Sequence, residues 1–271
     1  KTIRRIEPDY IYKGIPSWHS FLVSLVCLRL GIKFIQRVSN DFLIDDRFFR
    51  NHSKVHRLFQ NLGFKLSHCI LCQNDYQFSV ISRKFPNKPA LKISNPICVE
   101  HRETAEAMEA ENRRYIAWLG LFQYQKNLKL LYEIACLLKN ENFLIAGKEQ
   151  PKVDTETVHY LNELKKLPNV SFAGFLQRQQ VLPFLAKAKF LLNTSHYEGF
   201  SNTFLEAMAT GTPILTSNNV NPDFIISNYS LGIVYRDAVD LHEQLLLTNT
   251  LKYREMATNA RNYVATNHDY R

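Results

Sequence analysis

From Tyr115 onward the chain repeats one pattern: a short apolar run, then a longer stretch with helical spacing, then another apolar run. The apolar runs are Tyr115 to Leu121, Phe143 to Ala146, Val170 to Phe175, Phe190 to Thr194, Pro213 to Thr216 and Gly232 to Tyr235. Helical patterns cover Asn127 to Leu138, Glu156 to Leu167, Gln179 to Ala188, Asn202 to Ala209, Ala238 to Leu247 and Tyr253 to Ala265. Strands this short, apolar on both faces and separated by helices, belong in a parallel sheet covered on both sides. The pattern predicts a doubly wound α/β domain.

The first 97 residues follow the same grammar with fewer units. Strand signals fall at Tyr10–Tyr12, Phe34–Val38 and Cys69–Cys72, and helical patterns at Ser17–Leu30 and Lys54–Leu62. Asn95-Pro96 breaks the chain, and the segment from Glu100 to Arg114 is highly charged and poor in large apolar side chains, as in a linker or an exposed connecting helix. The expected organisation is an N-terminal domain over residues 1–97, a linker over 98–114 and a C-terminal domain over 115–271.

Charge separates the two parts. Residues 1–100 hold 16 Lys and Arg against 7 Asp and Glu; residues 101–271 hold 18 of each, so the net +9 sits in the first part. A one-sided basic surface points to an acidic partner, either an anionic lipid surface or a phosphorylated acceptor, or to a solvated face with no partner. Nucleic acid is not expected, because no recognition motif accompanies the charge. Five cysteines at scattered positions argue for a reducing compartment over a disulfide framework. Cys69-Ile70-Leu71-Cys72 lies in an apolar run and lacks a second ligand pair, so buried thiols are expected there and no metal site. No apolar run reaches the roughly 18 residues that cross a bilayer. These features lead us to expect a cytoplasmic location, peripheral on the inner face of a membrane.

The richest segment runs from Thr194 to Pro213. It follows a predicted buried strand and leads into a helix, and ligands of open parallel sheets bind at the carboxyl ends of strands. Gly199 permits close backbone approach. Ser201, Asn202 and Thr203 are all good helix caps, and Thr203 with Glu206 fits a capping box. Against that local role, Glu206 is the only charge between Gly199 and Val220. A carboxylate in so apolar a helix needs hydrogen-bond donors, and adjacent sugar hydroxyls supply them in pairs. The N–H groups opening the helix can hold a diphosphate as it becomes a leaving group.

The run Glu198-Gly199-Phe200-Ser201-Asn202, followed by Glu206-Ala207-Met208-Ala209, Gly211 and Pro213, resembles the signature of the family 4 retaining glycosyltransferases, which have the GT-B fold of two Rossmann-like domains. The resemblance covers about residues 115–266 and extends more faintly back to Asp9. It implies that Glu206 binds the donor ribose and that Glu198, the catalytic candidate, sits beside the transferred sugar. The backbone of Gly199, Phe200, Ser201, Asn202 and Thr203 would hold sugar hydroxyls and phosphate. Gly120 and Lys126 match the element that grips the diphosphate, and Gly174 and Phe175 the segment beside the nucleotide base. A nucleotide sugar carrying UDP or GDP is then a co-substrate, with no further cofactor and no metal. The acceptor would be a glycan, a lipopolysaccharide or a lipid-linked molecule, placing the chain in polysaccharide or lipopolysaccharide biosynthesis.

Four departures accompany the resemblance. Leu121 stands where the family has an arginine, and Ser217 to Asp223 replaces a glycine pair. Ser39-Asn40-Asp41 stands where many members carry a histidine, so His196 is read as a loop residue and no catalytic histidine is assigned. The N-terminal domain reads as incomplete. An alternative to the transferase is therefore a sugar-nucleotide-binding protein without transferase activity.

Overall fold

Parallel strands need a crossover, and both sheets of this protein are built from strand–helix–strand units that supply one. The computed structural model describes residues 2–45, 53–98 and 113–270. The chain divides into two compact units, one of residues 1–95 with Glu198–Phe200 and one of residues 96–197 with 201–271.

In the first unit the order is α1 (Thr2–Ile6), β1 (Tyr10–Lys13), α2 (His19–Leu30), β2 (Lys33–Arg37), α3 (Lys54–Leu66), β3 (Cys69–Cys72), α4 (Asp75–Lys84) and β4 (Ala90–Lys92). The four strands lie side by side in chain order, all parallel. Gly31 ends α2 in the left-handed conformation (φ 70°), which glycine adopts without steric cost. Gly63 of α3 meets α2 so closely that a Cβ there would lie 2.9 Å from the Ser20 Cβ. Val38, Ile44, Phe64, Ile70, Cys72 and Ile81 form the apolar core. Around it lie buried Gln36, Gln60, Gln73, Asn74, Gln77 and Asn95.

The sequence reading did not anticipate α4 and β4. The Asp75–Lys84 run is mostly polar and is held by local bonds, with Asn74 capping the Gln77 amide. β4 has three residues, too short for an apolar signature. The paired cysteines behave as expected of core thiols: both are buried on β3, and burial foremost pushes the Cys72 thiol up to about 12. Among the described residues no group of His, Cys, Asp and Glu could hold a metal ion, and no helix is long and apolar enough to cross a membrane.

The second unit runs β5 (Tyr115–Phe122), α5 (Leu128–Leu137), β6 (Phe143–Glu149), α6 (Thr155–Leu164), β7 (Val170–Gly174), α7 (Arg178–Ala186), β8 (Ala188–Asn193), α8 (Asn202–Ala209), β9 (Ile214–Ser217), α9 (Ile225–Asn228), β10 (Gly232–Tyr235), α10 (Ala238–Leu246) and α11 (Thr250–Asn267). Its six parallel strands are ordered β10-β9-β8-β5-β6-β7. The chain winds outward from β5 to β7, then returns beside β5 with β8 and winds the other way. The boundary between β5 and β8 is a topological switch point, where sheets of this kind leave a crevice at their carboxyl ends. All four residues of β9 are buried, as expected for a strand covered on both faces. The apolar cluster includes Trp118, Leu131, Phe143, Leu192, Tyr235 and Leu241.

Residues 99–112, most of the expected linker, lie outside the described residues. Arg113, at its end, is a buried anchor. Its guanidinium donates to the Ala188 carbonyl at 2.8 Å, the Thr212 hydroxyl at 2.5 Å and the Thr210 carbonyl at 2.8 Å. It thereby joins the start of β8 to the end of α8.

Candidate functional site

At the switch point, the turn after β5 and the loop after β8 are bound to each other. The Thr194 hydroxyl donates to the Lys126 carbonyl at 2.7 Å and accepts from the Trp118 indole at 3.1 Å. The His196 amide donates to the Gln125 carbonyl at 2.8 Å, and the Gln125 side-chain amide donates to the Tyr197 carbonyl at 2.9 Å. Lys126 ends a short 3₁₀ turn, and its stem lies over Gly120: a Cβ on Gly120 would come within 3.3 Å of it. Gly120 and Lys126 are therefore brought together, and glycine at 120 leaves room for the lysine.

The loop after β8 leads to α8. Ser201 is its N-cap in extended conformation, and the helix begins at Asn202. The expected capping box from Thr203 to Glu206 is not formed. Thr203 is already the second helical residue, and its hydroxyl pairs with that of Ser201 at 2.7 Å. Glu206, the fifth residue, is too far along the helix to reach back to the cap. No described residue hydrogen-bonds its carboxylate. Burial raises its pKa above the ordinary carboxylate range, and the Arg178 charge pulls in the opposite direction. The carboxylate is thus half-buried and without a hydrogen-bond partner among the described residues, in a helix whose neighbouring side chains Phe204, Leu205, Ala207 and Met208 are buried. Glu198, Gly199 and Phe200 are grouped with the first unit.

Gly174 closes β7 with φ +73°, a left-handed turn that a Cβ would strain. Phe175 follows it, 59% exposed, with the Lys148 ammonium 4.8 Å from its ring centroid. Sequence reasoning missed Lys148 and Arg178. Lys148 is the register partner of Leu121 on the adjacent strand, so a cation stands beside the position where the family pattern has its arginine. Arg178 opens α7 and faces Glu206 electrostatically. The predicted strand ending at Ala146 put Lys148 just past a carboxyl end, which was the available signal. His196 is held as a loop residue, its ring stacked on Tyr124 at 4.8 Å. Burial lowers its pKa, opposed by Glu156.

Two parallel sheets with helices at every crossover, one of them with a topological switch point, define a GT-B α/β architecture. The profile of the family described as glycosyl transferases group 1 matches residues 113–248, half of the chain, and the protein belongs to that family. Among curated proteins it is similar to alpha-monoglucosyldiacylglycerol synthase of Streptococcus pneumoniae, 26% identical over 191 residues, 64% of this chain and 41% of that protein. It is similar also to 2-deoxystreptamine N-acetyl-D-glucosaminyltransferase of Niallia circulans, 22% identical over 242 residues, 83% of this chain and 53% of that protein. The chain spans about half the length of these relatives or less. Among solved structures, sucrose-phosphate synthase from Thermosynechococcus elongatus superposes with a TM-score of 0.80 at 15% identity, covering 99% of this chain and 72% of that one. Anabaena HepE in complex with UDP and glucose does so with 0.76 at 14%, covering 99% and 76%. These likenesses show the fold.

Proposed function

We propose that this chain carries the donor site of a retaining glycosyltransferase that moves a sugar from UDP or GDP to a glycan, lipopolysaccharide or lipid-linked acceptor. The observation that carries the proposal is the half-buried Glu206 carboxylate of α8, set among buried apolar side chains and hydrogen-bonded by no described residue. A ribose presents two adjacent hydroxyl donors to such a group, and charged hydrogen bonds of this kind are the strong ones. The Ser201–Thr203 amides at the start of α8 and the Lys126 ammonium would neutralise the diphosphate. Lys148 would supply the second cation in place of an arginine at 121. Gly174 and Phe175 would flank the base, and Glu198 the transferred sugar.

In the reaction, the acceptor oxygen bonds to the anomeric carbon as the bond from that carbon to the phosphate oxygen breaks. The acceptor's proton passes to the departing phosphate, so no nucleophile from the protein is used and the configuration is retained. UDP is favoured by the HepE complex, and a lipid acceptor by the name of the S. pneumoniae relative. The basic surplus of residues 1–100 suits an anionic membrane surface presenting that acceptor.

Leu121 favours a second reading, a protein that binds sugar nucleotides without transfer. A panel of UDP- and GDP-sugars, read by calorimetry and by product formation on wild type and Glu206→Gln, separates the two. Binding with transfer or donor hydrolysis supports the transferase, and binding alone supports the second reading. An equal nucleotide affinity in Glu206→Gln would overturn the ribose role and with it the site.

A further inference from the structure

A polar cavity of about 430 Å³ opens in the second unit, lined by residues including Tyr124, Glu133, Glu156, Ser217, Asn219 and Arg236. Its walls come from the turn after β5, the first half of α5, the start of α6, the loop after β8 and the ends of β9 and β10. None of the donor-site residues proposed above lines it, although it shares the turn after β5 and the loop after β8 with them. Its volume falls within the roughly 300–1,000 Å³ of small-molecule sites.

Two features mark the cavity as built for hydrogen bonds. Ser217 is 3% exposed, and its hydroxyl has no partner; the buried Nε2 of His196, which also lines the cavity, has none either. Buried polar atoms are almost always satisfied, and an exception calls for something that satisfies it. The charges around the cavity are mixed: Lys129 and Arg236 against Glu133, Glu156 and Asp237. A cation or an anion entering here meets like charge as well as unlike. A hydroxyl donates to the carboxylates and accepts from the cations, so a neutral polyol suits every wall. At the rim Tyr124 is 53% exposed, one face held by the His196 ring. An aromatic ring fixed in this way offers an apolar platform to the C–H face of a sugar.

We propose that this cavity is a glycan-binding subsite that holds one sugar ring, with the ring's C–H face on Tyr124 and its hydroxyls toward Ser217 and His196. It is a second carbohydrate contact, independent of the nucleotide residues. The test is saturation-transfer NMR of the whole chain with glucose, galactose, mannose and N-acetylglucosamine, each with and without excess UDP. At least one sugar binds, and UDP does not displace it. Tyr124→Ala weakens that sugar roughly tenfold. Ser217→Ala weakens it several-fold without lowering the melting temperature, because the hydroxyl removed had no partner in the protein. Both variants keep the nucleotide affinity of wild type.

Absence of binding across the panel, displacement by UDP, or full affinity in Tyr124→Ala each overturns the proposal. Nucleotide binding in the same samples is read separately. Sugar binding that persists in a chain unable to bind UDP or GDP would sink the donor site and leave this one standing.

Discussion

The two units bury polar groups in different ways. In the first, buried amides and a carboxylate serve one another: the side chains of Gln73 and Asn95 are hydrogen-bonded at 2.9 Å, while Asp41 accepts from Asn74 at 3.1 Å and from Gln77 at 2.8 Å. In the second, the interior is one large apolar cluster. Buried polar atoms without a partner occur in both units, on Gln36 and Gln60 in the first and on His196 and Ser217 at the carboxyl end of the sheet in the second. An amide network ties polar side chains to one another, whereas an apolar cluster gains its stability from close packing.

The contrast is tested hardest in the apolar cluster. Trp118→Ala empties a position 2% exposed and is expected to cost about 3–5 kcal/mol, read by denaturant unfolding. A loss under about 1 kcal/mol would mean that the second unit does not depend on dense packing. Next in size is Glu206→Gln, expected to weaken UDP or GDP by about 1.5–3 kcal/mol, roughly ten- to a hundredfold by calorimetry.

The same substitution should act on stability with the opposite sign. Because burial raises the Glu206 pKa in the folded state, its contribution to folding is intact below the ordinary carboxylate range and is lost as pH rises through the raised value. Without nucleotide, Glu206→Gln should therefore melt higher than wild type at neutral pH, and the two should converge in acid. A difference that does not vary with pH would contradict the desolvated carboxylate.

Arg113→Met leaves the Ala188 and Thr210 carbonyls and the Thr212 hydroxyl short of a donor and is expected to cost about 1–3 kcal/mol in thermal unfolding. The smallest effect belongs to Gln36→Leu in the first unit. Both polar atoms of Gln36 are buried without partners, so the leucine should be neutral or stabilise by up to about 1 kcal/mol. A clear loss would show that Gln36 belongs to the polar network after all.

The sequence displayed the second unit well because its strands are buried on both faces, which leaves unbroken apolar runs such as Phe190 to Leu192. Glu206 stood out for the same reason, a lone charge in an apolar helix. Lys148 and Arg178 did not stand out, since they meet Leu121 and Glu206 only through strand register and helix placement, and no local pattern encodes either. Arg113 was hidden by its company: a charged stretch reads as exposed, and only its acceptors at 188, 210 and 212 show it to be interior. The capping box was misread by two positions, because serine, asparagine and threonine in a row offer three equivalent helix starts. In the first unit β4 and α4 were lost to shortness and polarity.

The Arg113 clamp also fixes where the molecule can be divided. A fragment beginning at Tyr115 would hold every strand of the second sheet yet leave α8 with an untied end, about one turn from the carboxylate it carries. The domain border, drawn by function, lies before the first strand and includes one residue that looks like spacer. Any chimera that exchanges donor halves between family members should therefore be joined upstream of residue 113, so that the arginine travels with the helix it restrains.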